Sequence, residues 1–121
     1  MTDPATVAVC CRETKTGYVV TSFEECTTAV IVSTSDKRIL RAVSLASASH
    51  PPNPDKSARL RDERPTTVIA SAIDPYSLVS LSAKGVEVRL VDDGVTAEIA
   101  LQLYDDNKTR LACNVIRPKE S

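Results

Sequence analysis

The stretch TTVIASAIDPYSLVSLSAKGVEVRLVDDGVTAEIALQLY, residues 66–104, decides the fold. In it an apolar strand, a helix, a half-apolar strand and a second helix follow one another with short connections. Asp74 stands at a favoured N-cap position with Pro75 at the first helical position, and Gly85 supplies a helix stop. Thr96 caps the second helix in the same way. This order predicts two β-α units of a mainly parallel sheet, and such sheets bind ligands outside the carboxyl ends of their strands.

The apolar spacing in this stretch predicts which side chains face the sheet. In the two helices the sheet-facing positions are expected to be Leu78, Val79 and Leu81, then Ile99, Ala100 and Leu103. In the strand at 86–91, apolar residues alternate with Glu87 and Arg89. The alternation predicts a half-exposed strand at the edge of the sheet.

The first half of the chain supplies the other strands. TVAVCC, residues 6–11, is apolar throughout and predicts a strand covered on both faces. Strands at 27–34 and 38–47 are separated by a short turn and should form a hairpin. A loop at 47–54, rich in proline, and a brief helix at about 55–63 lead to the strand at 67–72.

The element order β-β-β-α-β-α-β-α predicts one α/β domain over residues 1–121, with about three helices. Short right-handed connections favour a five-stranded mixed sheet of order 3-2-1-4-5, a ribonuclease H-like topology. Its first strand would run parallel to the strand that begins near Thr67. We expect Cys10, Cys11 and Asp74 at the carboxyl ends of these two strands, where a ligand would lie.

Composition excludes several classes of partner. Fifteen Lys and Arg against 16 Asp and Glu, with one Phe, three Tyr and no Trp, argue against nucleic-acid binding by charge or by stacking. No apolar run approaches the roughly 20 residues that span a bilayer, and the amino terminus lacks a signal-like pattern. We therefore expect a cytoplasmic protein without a membrane partner. Its four cysteines are expected to be thiols because the sequence shows no export signal. The absence of zinc-finger and Cys-x-x-Cys spacing argues against a structural zinc site.

Catalytic constellations are absent from the sequence. A two-metal nuclease needs carboxylates on adjacent strands, and the first strand has none. Ser22 has neither a second histidine nor a placed acid to activate it, since His50 is the one histidine. These observations favour a non-enzymatic function.

VTSFEECTTAVIV, residues 20–32, and the segment 68–104 resemble the dinitrogenase iron–molybdenum cofactor biosynthesis family, the NifX-like domains. In that family a polar loop leads through a Val-x-His-Phe-Gly-x-Ala-like segment into the second strand. Val20 and Phe23 match this segment. Ser22 stands where histidine is common, Glu24 where glycine is common, and Cys26 at the small-residue position. The resemblance covers about residues 6–111.

The resemblance implies a binding or carrier protein for an iron–molybdenum or related metal–sulfur cluster or precursor, with a possible cofactor-assembly protein as partner. The cluster would lie at the strand-carboxyl end, against the loop that holds residues 20–26. Contacts are then expected from Ser22, Phe23, Glu24, Cys26 and His50. Of these, Cys26 would supply a thiolate and His50 an imidazole to the metal.

Two other functions remain open. The chain could be a protein-interaction module that has lost cluster binding and docks a partner through the edge strand at 86–91. Alternatively it could sense a divalent metal or an oxyanion through Glu24, Glu25 and Asp74. Glu24 and Glu25 would disfavour an anionic cluster, because each like charge within several ångströms costs about 1 kcal/mol or more.

Overall fold

The computed structural model describes residues 6–15, 17–35, 38–45, 60 and 63–112. In this part of the chain the elements are, in order, β1 (Thr6–Thr14), β2 (Gly17–Val20), β3 (Thr28–Ser33), β4 (Ile39–Ser44), β5 (Thr67–Ala70), α1 (Pro75–Ser82), β6 (Glu87–Leu90), α2 (Ala97–Asp105) and β7 (Arg110–Leu111). Neither α1 nor α2 has the length and apolar content that a membrane-crossing helix needs. The helix predicted at 55–63 falls outside the described residues apart from Leu60 and Glu63, and the loop at 47–54 falls wholly outside them.

The strands form one mixed sheet of order β4-β3-β1-β5-β6-β7, and β2 pairs with β1 outside this path. β1 is the parallel neighbour of β5, with Val7 opposite Thr67 and Val9 opposite Ile69, which confirms the central prediction. The β5–β6 pair is also parallel. The remaining pairs are antiparallel, including the predicted hairpin of β3 and β4.

The predicted sheet of five strands differs from the observed one in strand count and in its full order, because β2 and β7 were missed. The five predicted strands correspond to β4-β3-β1-β5-β6 of the observed order. β2 lies in the polar stretch after β1 and pairs with an extension of β1 that reaches Thr14. Tertiary bonds hold it in place: the Val20 N–H donates to the Val95 carbonyl oxygen at 2.7 Å, and the Gly94 N–H donates to that of Val20 at 2.9 Å. The ribonuclease H-like assignment stays a prediction.

The strand at 86–91 is not an edge strand, contrary to the alternation rule. β7 pairs with it, placing Leu111 opposite Arg89 and Arg110 opposite Leu90. Arg89 and Glu87 lie on one face of β6 and form an ion pair of 2.9 Å, while Val88 on the opposite face is buried. The alternation of apolar and charged residues in β6 therefore indicates that one face of the strand is only partly covered, and not that the strand lies at the edge of the sheet.

The core consists of two layers, one on each face of the sheet. On the first face, β1 contributes Ala8 and Cys10, and α1 packs through Leu78 and Leu81. On the second face, the side chains from β1 and α2 are Val7, Val9, Cys11, Ala97 and Ala100. Each fully buried valine or leucine adds roughly 1.5–3 kcal/mol of hydrophobic stabilisation. The uniformly apolar TVAVCC segment is thus explained by β1 lying in the centre, as predicted.

Both helix caps are confirmed, but one helix-face assignment in each helix is wrong. Val79 and Ile99 were expected to face the sheet, yet they are 48% and 51% exposed. In α1 the buried residues are Leu78 and Leu81. Successive residues of an α-helix are rotated by about 100° around its axis, so the side chain of Val79 points away from the direction of Leu78. In α2 the small residue Ala97 takes the inward position, so the helix lies close to the sheet with Ile99 outside.

Candidate functional site

The segment 21–27 crosses the middle of β1 on its way from β2 to β3. At its start, the N–H of Thr21 donates to the Cys10 carbonyl oxygen at 3.1 Å. At its end, the N–H of Thr27 donates to the Cys11 carbonyl oxygen, also at 3.1 Å. These bonds fix both ends of the loop to the central strand, because Cys10 and Cys11 are interior residues of β1.

The same loop is joined to the carboxyl end of β5. The N–H of Ser71 donates to the carbonyl oxygen of Thr21 at 3.1 Å, and the N–H of Phe23 donates to that of Ala72 at 2.8 Å. Residues 71–74 connect β5 to α1, so the loop borders the region where an open α/β sheet binds ligands.

A tight turn in the loop separates its inward from its outward side chains. The N–H of Glu25 donates to the Ser22 carbonyl oxygen at 3.1 Å, and the N–H of Cys26 donates to that of Phe23 at 3.3 Å. Phe23 and Cys26 are buried in the first core layer, whereas Glu24 is exposed and Ser22 half-buried. The turn therefore presents Ser22 and Glu24 to the outside.

A cleft of about 210 Å³ lies between this turn and the start of α1. Its lining consists of Ser22, Glu24, Ala72, Ile73 and Asp74. We refer to these five residues as the cleft. Their polar groups are one hydroxyl and two carboxylates, and Ala72 and Ile73 form the apolar wall.

Asp74 is held in its ionised form. Its Oδ2 accepts the Ser77 N–H at 2.9 Å as the N-cap of α1. Burial raises the pKa of this carboxyl, but hydrogen bonds from the Ser77 backbone and hydroxyl and from the backbone of Asp74 and Tyr76 outweigh it. The net effect is a pKa below the ordinary value. The cleft therefore carries negative charge at neutral pH.

Other carboxylates at this end of the sheet are turned to nearby hydroxyls. Glu25, predicted to join Glu24 and Asp74 in a sensor site, accepts from the Thr21 hydroxyl at 3.4 Å and does not line the cleft. Beyond the end of β6, Asp93 accepts from the Ser71 hydroxyl at 3.1 Å. The structure thus brings together two of the three sensor carboxylates.

The expected cofactor contacts divide into two groups. Ser22 and Glu24 line the cleft, as a contact role requires. Phe23 is 2% exposed and Cys26 is 0% exposed, and the Cys26 thiol donates to the Thr28 carbonyl oxygen at 3.3 Å. Ligation by Cys26 stays a prediction, and His50 lies outside the described residues.

Metal-ligating groups are sparse in the described part of the chain, where no three His, Cys, Asp or Glu side chains lie close enough together to hold an ion. Cys10 and Cys11 were expected at the carboxyl end of β1, which is wrong because the strand continues to Thr14. Burial raises the pKa of the Cys11 thiol to about 12, with further contributions from Cys26 and Glu98. Cys11 is consequently a protonated core residue.

Sequence reasoning missed the apolar wall of the cleft. The sequence pattern predicts Ala72 at the end of a strand and indicates no role for Ile73. β5 ends at Ala70, so both residues belong to the connection that opens onto the cleft. The signal that could have found them is positional, because connections after parallel strands line the crevice in this class of sheet.

Neither a protein-family profile nor a curated protein sequence matches the chain. Solved structures do. A protein provisionally assigned as NifB from Thermotoga, of the DUF35 family, is 19% identical with a TM-score of 0.74, covering 95% of this chain and 99% of that one. A provisionally assigned dinitrogenase from Methanocaldococcus jannaschii is 15% identical with a TM-score of 0.68, covering 94% and 100%.

The apo form of the orange protein from Desulfovibrio gigas is 17% identical to this chain, with a TM-score of 0.76 and coverage of 93% of this chain and 96% of that one. At such identities the likeness shows the fold alone. The chain therefore shares a mixed α/β fold with these three proteins over nearly its whole length.

Proposed function

We propose that this chain binds a metal-containing cofactor of the iron–molybdenum, metal–sulfur type, or its precursor, in the cleft and carries it without catalysing a reaction. The observation that carries the proposal is the position of the cleft, which lies at the carboxyl end of β5 in a fold shared with proteins named for NifB and dinitrogenase. The third similar structure is of a protein in its apo form. Fold likeness and an open cleft at the ligand-binding end of the sheet support the same function.

The donor set of the cleft limits how such a cofactor would bind. Ser22, Glu24 and Asp74 offer oxygen atoms, which suit hard metal ions, whereas sulfide-rich surfaces favour thiolates and N–H donors. Anionic sulfide facing two carboxylates at about 4 Å would cost about 1–4 kcal/mol per charge pair. A cofactor therefore fits best with its metal atoms, and not its sulfides, towards Glu24 and Asp74.

The side chains of the cleft also support a carrier and not a catalyst. Among its five residues the one nucleophile type is the Ser22 hydroxyl, which accepts the Glu25 N–H at 3.3 Å. Asp74 is engaged with α1.

Binding of a divalent cation is the second candidate, favoured by one specific observation. Glu24 and Asp74 line the same cleft, and the lowered pKa keeps Asp74 charged. A cation would then bind directly to carboxylate oxygens without any sulfide.

Anaerobic reconstitution distinguishes the two candidates. The chain is incubated with iron, molybdate and sulfide, or with Mg²⁺ or Mn²⁺ alone, and then desalted. Metal per chain, the visible spectrum and the thermal midpoint are measured. Retained molybdenum or iron with a charge-transfer band supports the carrier, whereas stabilisation by the divalent ions alone supports the cation candidate. Absence of both contradicts the proposed function.

Variants assign the ligands. Glu24→Gln combined with Asp74→Asn should lose the retained metal, while Glu98→Gln, a matched change on α2 at the other face of the sheet, should keep it. Cys26→Ser and His50→Ala test the two ligands that the sequence resemblance implies. Because Cys26 lies in the core, loss of metal by the Cys26→Ser variant is evidence for ligation only if circular dichroism shows that the variant is folded.

A further inference from the structure

Helix α1 has an uncharged outer face. Its eight residues, PYSLVSLS, include no acidic or basic side chain. Tyr76 is 82% exposed and Val79 is 48% exposed, although both are large apolar residues. A surface helix normally turns charged and polar side chains to water, as α2 does with Glu98 and Asp105. The exposed face of α1 has serine hydroxyls but no charged side chain.

This face continues into the cleft. Pro75 and Ala72 are exposed, Ile73 is half-buried, and Val79 follows Tyr76 by three residues on the same side of the helix. Ala72 and Ile73 are also the apolar wall of the cleft. We call these five residues, Ala72, Ile73, Pro75, Tyr76 and Val79, the α1 apolar surface.

Carboxylates border the α1 apolar surface. Glu24 and Asp74 lie in the adjoining cleft, and the exposed Asp93, which follows strand β6, accepts a hydrogen bond from the hydroxyl of Ser71 next to Ala72. Between residues 71 and 83 the chain has no lysine or arginine, and Lys84 follows the far end of the helix. The surface is thus apolar at its centre and acidic at the cleft end.

We infer that the α1 apolar surface docks a partner protein whose contact segment combines aliphatic or aromatic side chains with lysine or arginine. Exposed tyrosine next to aliphatic residues is typical of the energetic centre of protein interfaces. The basic side chains would pair with the carboxylates at the rim and so favour the correct partner. A second copy of this chain fits less well, because residues 71–83 offer no lysine or arginine to pair with these carboxylates. The docking surface does not rest on the proposed function, although a metal held by Glu24 and Asp74 would weaken the pairing of these two carboxylates with basic side chains.

The inference is tested on the full, metal-free chain with two synthetic helical peptides of equal length. One peptide carries leucines with lysines and the other carries the same leucines with glutamates. Amide chemical-shift mapping should place the lysine peptide on residues 72–79 and 22–25, with affinity that falls as salt rises. The glutamate peptide should not bind. Shifts centred on α2 or β4 would overturn the inference, as would equal binding of both peptides or no binding.

Variants complete the test. Tyr76→Ala and Val79→Ala should each weaken binding of the lysine peptide about fivefold or more, and Glu24→Gln should reduce its salt dependence. Ile99→Ala removes an equally exposed aliphatic residue from α2 and should leave the affinity unchanged. A dimer in sedimentation that is lost in Tyr76→Ala would overturn the inference in favour of self-association.

Discussion

The carboxylate of Asp74 accepts the Ser77 N–H at 2.9 Å and also lines the cleft opposite Glu24. One residue therefore contributes both to the stability of α1 and to the charge of the candidate site. The hydrogen bonds that begin the helix are the same ones that keep the carboxylate ionised. Any ligand of the cleft meets a negative charge that the fold itself maintains.

Acid should remove the contribution of Asp74 to stability. Because its pKa is lowered in the folded state, the contribution is present above the unfolded value of about 3.9 and is lost as pH falls through the lowered pKa. Asp74→Asn keeps a capping side chain, so its free energy of unfolding should match that of the parent protein near pH 7. Below about pH 4 the variant should be the more stable of the two, because the asparagine has no carboxylate to protonate. Urea denaturation from pH 2 to 7 measures the difference between the two proteins.

The alanine variant is the control for the cap. Asp74→Ala should cost about 0.5–2 kcal/mol at pH 7, because it leaves the N–H groups of the first turn of α1 without their acceptor. A pH profile of Asp74→Asn that runs parallel to that of the parent protein would contradict the assigned role.

The three described cysteines should be unreactive in the folded protein. Cys10, Cys11 and Cys26 are buried, and a pKa of about 12 leaves almost no thiolate on Cys11 at pH 8. Alkylation with iodoacetamide followed by peptide mass spectrometry should label all three only after denaturation. Labelling of Cys26 in the native protein within minutes would instead show that its thiol reaches solvent, as a ligand role requires.

For individual residues, the sequence predicts which ones lie near the site better than it predicts whether their side chains face the cleft or the core. Four residues of the loop were expected at the site. In the structure Ser22 and Glu24 line the cleft, whereas Phe23 and Cys26 are buried in the core. The split is made by the tight turn and by bonds to β1 and β5, which are tertiary contacts. No local pattern in the loop encodes them.

Among the elements, the loop 21–27 is anchored by one buried aromatic side chain, that of Phe23. Phe23 is 2% exposed and packs in the first core layer, between the two residues that face the cleft. Its N–H bonds to Ala72, so side chain and backbone hold the same point of the loop. Phe23 therefore positions Ser22 and Glu24 without lining the cleft itself.

Phe23→Ala should destabilise the protein by about 3–5 kcal/mol, the usual cost of removing a buried phenylalanine, whereas Phe23→Leu should cost about half of this or less. Tyr76→Ala, the loss of an exposed aromatic ring, should change the free energy of unfolding by about 0.5 kcal/mol or less. Urea denaturation measures all three. Equal effects of Phe23→Ala and Tyr76→Ala would mean that Phe23 does not anchor the loop.

The elements that were predicted correctly have strong local signals, and those that were missed do not. A pattern of only a few residues indicates each of the correctly predicted elements: the apolar run of β1, the hairpin of β3 and β4, and the capped helices α1 and α2. β7 has two residues and β2 has four, and both exist because a neighbouring strand offers free hydrogen-bonding groups. Because β7 was not predicted, β6 was expected to be an edge strand.

In the whole molecule, burial decreases from the centre of the sheet to its sides. β3, β5 and residues 7–11 of β1 are covered on both faces, while β4 is exposed or half-buried throughout and β7 is exposed. Stability against local opening should follow the same order, because opening of a central strand exposes both core layers.

Native-state hydrogen exchange should therefore be slowest for the amides of β3, β5 and residues 7–11 of β1, and faster by orders of magnitude for β7 and for the outer amides of β4. Two-dimensional NMR after transfer into D₂O measures this directly. Protection of the outer β4 amides equal to that of β1 would show that this side of the sheet is covered by another segment or chain.

The pairing of Val7 with Thr67 also has a consequence for biosynthesis. At about 5–20 residues per second, a ribosome needs roughly 3–12 s to add the 60 residues that follow Val7, up to and including Thr67. During that interval the apolar residues of β1 are without their parallel neighbour. Chaperones that recognise unfolded apolar segments are the natural means of shielding it until translation passes β5.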